Sequence, residues 1–145
     1  SPWLDDIEGV EVLRNRIEDL DVSVIEQLGH GDVLFIDSSH IIRPQGDVLK
    51  LYLEVLPSLP AGVIVHVHDI FTPRDYLTEW LRDDVRFWNE QYLMEALLSD
   101  SNRLRVEAAL FYLKQQHFQA LKSVARSLEP QHSPGAFYMS VSSQS

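Results

Sequence analysis

The chain has 145 residues, no cysteine and a formal net charge of −10. So acidic a surface repels nucleic-acid phosphates and anionic membranes, and the absence of cysteine removes disulfide frameworks and thiolate zinc sites, which fits the cytoplasm. With 45% hydrophobic and 23% charged residues it has the composition of one packed domain.

No apolar run approaches the ~20 residues of a membrane-spanning helix. Ser1–Pro2–Trp3 lacks the basic start and apolar centre of a signal peptide. The expectation is a chain that begins partway through a longer reading frame, with Ser1–Gly9 acidic and irregular. Val10–Leu13 (VEVL) alternates apolar and polar residues and predicts a short strand. A polar turn over Asn15–Asp21 follows, then a short helix over Val22–Leu28, closed by Gly29 and Gly31. Val33–Ile36 is an unbroken apolar run, as in a strand covered on both faces.

Ser38–Asp47 reads as a loop with breakers Pro44 and Gly46. Asp47 is an N-cap candidate for a helix carrying Val48, Leu51, Tyr52, Val55, Leu56 and Leu59 at helical spacing. Pro57 should end it. After the turn Pro60–Gly62, Val63–Val67 is a second buried strand. Thr72–Pro73 has the form of an N-cap followed by a first-turn proline, with Asp75 near the positive helix start. Val85–Leu98 predicts a helix with Trp88, Tyr92, Leu93, Ala96 and Leu97 inward, and Leu104–Leu110 a strand. Gln116–Leu128 predicts a helix, with Phe118, Leu121, Val124, Ala125 and Leu128 on one face. Ala136–Val141 is a last strand, and residues 142–145 a disordered tail. The alternation predicts an α/β fold: a Rossmann-like, mostly parallel sheet with flanking helices in a single domain.

The two central apolar runs each end in a carboxylate and a histidine: Asp37 and His40 on one, His68 and Asp69 on the other. Adjacent parallel strands lie ~4.8 Å apart, so the four side chains would share the crevice where open α/β sheets bind ligands. Two carboxylates there suit Mg²⁺, and a histidine there could take a proton from a substrate hydroxyl. The bland alternative is that Asp37 and Asp69 cap the following turns. His66 alternates onto the face of His68 but lies deeper, as a core histidine satisfied by hydrogen bonds. His30, His117 and His132 read as surface residues. Trp80, Phe87, Trp88 and Tyr92 read first as core packing and second as a lid over the crevice. Arg43 and Arg74 are candidates for holding an anionic group, and Asp83–Asp84 for a helix start. No G-x-G-x-x-G follows a strand; Gly29-His30-Gly31 precedes one and cannot cradle a phosphate in the usual way.

FIDSSH, then LEVLPSLPAGVIVHVHDIF, then RFWNEQYL, resembles the carboxyl-terminal part of a class I S-adenosylmethionine-dependent methyltransferase, in the family 24-like branch. The resemblance spans about Val10 to Val141. It implies an incomplete class I fold holding strands three to seven, with Val10–Leu13 as the third. It places Arg16, Ile17 and Glu18 near the adenine of S-adenosylmethionine, and Asp37 and Ser38 near its methionine part. It implies a divalent metal (Mg) on Asp37 and Asp69, with His40 and His68 as catalytic bases or extra ligands. The glycine-rich cofactor loop is missing. The expected function is methyl transfer to a hydroxyl of a small-molecule acceptor. The alternatives are a metal-dependent hydrolase or lyase using Asp37, His40, His68 and Asp69, and a non-catalytic interaction module. The expected partners are that acceptor, no nucleic acid, no membrane, and a further copy forming a homo-oligomer along an exposed sheet edge.

Overall fold

Val33–Ile36 forms β1 and Ile64–Val67 forms β2; β1 is not covered on both faces as expected, because it ends the sheet and one of its faces leaves Val33 and Phe35 each 54% exposed. The computed structural model describes residues 7–143. Residues 1–6 of the acidic start and 144–145 of the tail lie outside them. β1 and β2 are parallel, Val33 opposite Ile64 and Ile36 opposite Val67, so their carboxyl ends lie side by side.

Between them runs α1, residues 47–58, built from an α segment Asp47–Lys50, a π segment Leu51–Val55 and an α segment Leu56–Ser58. Pro57 removes one rung of the ladder, and the helix stops one residue later, as expected. Gly46 rather than Asp47 takes the N-cap; the Asp47 carboxylate instead accepts hydrogen bonds from Ser39 N and Oγ. After β2 come α2 (Thr78–Arg82), α3 (Glu90–Asp100), β3 (Leu104–Ala109), α4 (Leu110–Gln116), α5 (Phe118–Val124) and β4 (Phe137–Val141).

The sheet order is β1-β2-β4-β3. β4 is antiparallel to both β2 and β3, with a bulge at Glu107. This corrects the mostly parallel expectation. Three strands share one direction, but the single reversed strand sits between two of them, so two of the three pairings are antiparallel. Through α4 and α5 the chain returns to the end where β3 stops, Phe137 lying opposite Ala109, so β4 runs back along β3.

Val10–Leu13 is not a strand. Both end residues are about half exposed, Val10 N bonds locally to Ile7 O, and among the described residues none pairs with the outer edge of β1. Three of its four residues are apolar, but only Val12 is even partly covered, which buries too little to hold a strand there. Val22–Leu28 gives one 3-10 turn, Val22–Val24, capped by Asp21 accepting from Ser23 N. Thr72 is no N-cap: α2 begins six residues later, and the Thr72 hydroxyl bonds Glu95. Asp83 ends α2 instead of opening a helix, its carboxylate gripped by Arg82. The helix expected from Val85 starts at Glu90, which leaves Tyr92 turned outward. The helix expected from Gln116 begins at Phe118 and leaves Val124 exposed, while α4 was not foreseen.

The core lies on one sheet face. Val65, Val67, Met139 and Phe137 pack there against Val48, Tyr52 and Val55 of α1 and Met94 of α3. The opposite face carries Val33, Phe35, His66 and Tyr138, with the first two more than half exposed. Among the described residues no helix is long and apolar enough to cross a membrane.

Candidate active site at the carboxyl ends of the parallel strands

Asp37 follows β1 directly, and His68 and Asp69 follow β2. The parallel register therefore delivers them to one place. Asp37 Oδ1 lies 3.4 Å from His40 Nε2 and 3.8 Å from His68 Nδ1, and Asp69 Oδ1 lies 3.2 Å from His68 Nδ1. The four side chains named from sequence thus form one connected group. His68 Nδ1 faces its carboxylates at attractive range but out of line for a hydrogen bond.

Exposure divides the group. Asp37 and His68 keep 54% and 45% of their side-chain surface, Asp69 19%, and His40 only 6%. His40 and Asp69 both hold left-handed backbone, φ 59° and 58°. Such conformations are uncommon outside glycine and gather at functional positions. Gly135 explains how Asp69 is seated. It precedes β4, its carbonyl accepts from Ile70 N, and a Cβ there would stand 2.8 Å from Asp69 Cα.

Sequence reasoning missed Glu90. It is wholly buried at the start of α3, and its Oε2 accepts from His40 Nδ1 at 2.7 Å and Ser38 Oγ at 2.8 Å. Its place on the inward stripe with Met94 and Leu97 was the available signal, since a carboxylate on a core-facing stripe demands a partner. Burial alone lowers the pKa of His40. The Glu90 hydrogen bond and the charges of Glu90, Asp69 and Asp37 outweigh it, and the net shift is upward. Trp88 lies against the His40 ring, centroids 4.1 Å apart.

His66 is no satisfied core residue. It is half-buried, stacks on Tyr138 at 4.4 Å, and leaves Nε2 without a hydrogen bond. Burial first and neighbouring His68 second lower its pKa. The aromatic group splits: Trp80 and Trp88 pack together, whereas Phe87 and Tyr92 are exposed.

Of the residues expected at the cofactor, Arg16 and Glu18 line a cavity of about 490 Å³ beside α1. Glu18 also reaches Arg43, which reaches Asp47, which holds Ser39, so this turn is tied to the end of β1. Ile17 packs on the core, and the Ser38 hydroxyl is committed to Glu90. The residues present therefore fit the polar parts of a nucleoside-bearing cofactor only through Arg16 and Glu18. For a divalent cation, Asp37 and Asp69 are suitable oxygen donors, yet both turn Oδ1 to His68. Among the described residues no three His, Asp or Glu side chains converge as a ligand set.

Comparison of the chain with protein-family models, curated proteins and solved structures gives no match.

Proposed function

We propose that the chain carries the acceptor side of a methyl-transfer site, in an incomplete class I fold whose fourth to seventh strands are β1, β2, β3 and β4. The meeting of Asp37, His40, His68 and Asp69 outside the carboxyl ends of two parallel strands carries this reading. S-adenosylmethionine, when bound, supplies an electrophilic methyl group. The chain's own residues orient the acceptor and take its proton.

His68 is the proton acceptor. Its Nδ1 looks at two carboxylates and keeps a proton there, which leaves Nε2 as the basic nitrogen. As the acceptor oxygen gains the methyl group, its proton passes to Nε2 and the imidazolium is stabilised by Asp69 and Asp37. His40, enclosed between Glu90 and Asp37, holds Asp37 in place.

The test is calorimetric titration of S-adenosylhomocysteine into the protein expressed from its complete reading frame. Binding supports the reading, and its absence removes it. With an acceptor in hand, His68→Gln should slow transfer by roughly 10²–10⁴-fold, the usual worth of a positioned base.

A second reading rests on the open edge of β1, where Val33 and Phe35 are more than half exposed. Unpaired edges recruit other chains, so the alternative is a homo-oligomer joined along β1. Sedimentation velocity over a wide concentration range decides it, and a strict monomer removes it.

A further inference from the structure

Glu90 takes no part in the proton path above, yet among the described residues it is the one buried carboxylate. An uncompensated buried charge costs several kcal/mol, so its partners define its role. They come from one side. Oε2 accepts from His40 Nδ1 and from Ser38 Oγ, and Ser38 Oγ in turn accepts from His40 N at 2.9 Å. The backbones are joined as well: Asn89 N and Glu90 N both donate to His40 O, and Ile42 N donates to Asn89 Oδ1. The buried Tyr52 hydroxyl also feels the Glu90 carboxylate, and neither that hydroxyl nor Glu90 Oε1 makes a hydrogen bond of ordinary geometry. The start of α3 is thus fastened to the turn after β1, with the Glu90 carboxylate aimed at one ring nitrogen.

A carboxylate only accepts, and both ring nitrogens face one, so the ring that satisfies both is the imidazolium, with one proton on His40 Nδ1 toward Glu90 and the other on Nε2. Nε2 is then turned the opposite way, to Asp37 at 3.4 Å. The charged groups facing the ring are Glu90 from α3, Asp37 from the end of β1 and Asp69 from the end of β2, with Trp88 closing one ring face.

We propose that Glu90 is a positioning residue of the crevice: through His40 Nδ1 it fixes the imidazole so that Nε2 meets Asp37 and holds that carboxylate at the mouth. This rests on the crevice being the reacting site. Glu90 itself reaches no substrate and acts only through the ring. Ser38 serves the same end by occupying the remaining approach to Oε2.

Proton NMR of the whole protein reads the bond directly. The His40 Nδ1 proton should appear as a low-field resonance that exchanges with water at least about tenfold more slowly than the ring protons of half-exposed His68, as expected of a charge-assisted bond out of solvent. In Glu90→Gln an amide oxygen still accepts, so the resonance should survive and move upfield. In Glu90→Leu it should vanish. Asp37→Asn should leave it in place, because Asp37 lies at the other nitrogen. Absence of a slowly exchanging His40 resonance in the unaltered protein overturns the proposal, whether or not the variants fold. So does an unshifted resonance in Glu90→Leu. Titration of S-adenosylhomocysteine into the same samples judges the methyl-transfer reading separately. Failure to bind removes that reading and leaves the resonance as the measure of Glu90; binding with a resonance unmoved in both variants removes the Glu90 assignment alone.

Discussion

His40 Nδ1 and Glu90 Oε2 meet 2.7 Å apart across 50 positions of sequence, where Glu90 has no solvent-exposed side-chain surface. The pair joins the end of a sheet strand to the start of a helix, and it makes stability depend on pH. The His40 pKa is raised on folding above its ordinary 6.5. A group that binds its proton more tightly when folded stabilises the native state below its unfolded pKa, and loses that contribution as pH climbs through its folded pKa. The stability difference between the native protein and His40→Gln should therefore be largest below about pH 6.5 and shrink as the solution becomes alkaline. Urea denaturation at several pH values measures it. A gap that widened with rising pH would contradict the arrangement.

Gly135 and Asp69 give a second expectation. A Cβ at 135 would stand 2.8 Å from Asp69 Cα and 3.1 Å from Phe71 Cζ. The first of these is backbone, already held by the Ile70 N to Gly135 O bond. Gly135→Ala should cost about 1–3 kcal/mol, as overpacking in a fixed surround does. It should also shift the amide resonances of His68 and Asp69. An alanine variant as stable as the native chain, with those resonances unmoved, would show that the turn before β4 gives way to a methyl group without disturbing Asp69.

β1 and β2 and their polar ends were legible because a short apolar run between breakers marks a strand even where, as in β1, one face stays open, and because parallel pairing forces like ends together. Asp37, His40, His68 and Asp69 could be grouped from that alone. The sheet's mixed directions were not legible. Nothing in Ala136–Val141 marks a strand as reversed: direction is set by the end of the sheet to which the preceding connection returns, and α2 with α3 and α4 with α5 return to opposite ends. Val10–Leu13 misled because alternation over four residues is also what an exposed loop can show by chance. The helix boundary near Val85 misled for a different reason. Arg86 and Trp88, in an irregular segment whose apolar spacing mimics a helix, pack against Trp80 of α2. Moving the start to Glu90 changed which residue faced inward, and it is why the buried carboxylate was missed.

The left-handed backbone at Asp69 separates its shape from its charge. Aspartate and asparagine tolerate φ near 58° better than other side chains do, and β-branched residues tolerate it poorly. Asp69→Asn should keep the fold, with a stability change near 0.5 kcal/mol. Asp69→Val should lose about 1–2 kcal/mol more from the backbone alone. Thermal unfolding of the two variants side by side checks the order. In the methyl-transfer reading Asp69→Asn should nonetheless impair proton acceptance at His68, because the amide no longer favours the imidazolium. A variant that is both stable and fully active would remove Asp69 from that role.

Arg86 tests how the wall beside His40 is held. Its guanidinium carbon lies 4.7 Å from the Trp80 ring centre and 5.2 Å from that of Trp88, and the two indoles meet edge to face at 5.0 Å. Arg86 N also donates to Trp80 O, which folds the segment back on itself. Because Trp88 in turn lies against His40, loosening this stack should reach the crevice without touching any of its charged groups. The side chain of Arg86 is exposed enough for solvent to weaken the attraction, so Arg86→Ala should cost only about 0.5–1 kcal/mol of stability. The larger effect should be local. Acrylamide should quench tryptophan fluorescence more readily in Arg86→Ala, and the slowly exchanging His40 ring proton should exchange faster. Arg86→Lys keeps a cation but not the flat face that stacks between indoles, so it should fall between the two. Equal quenching in all three proteins would show that the indoles hold each other without the guanidinium.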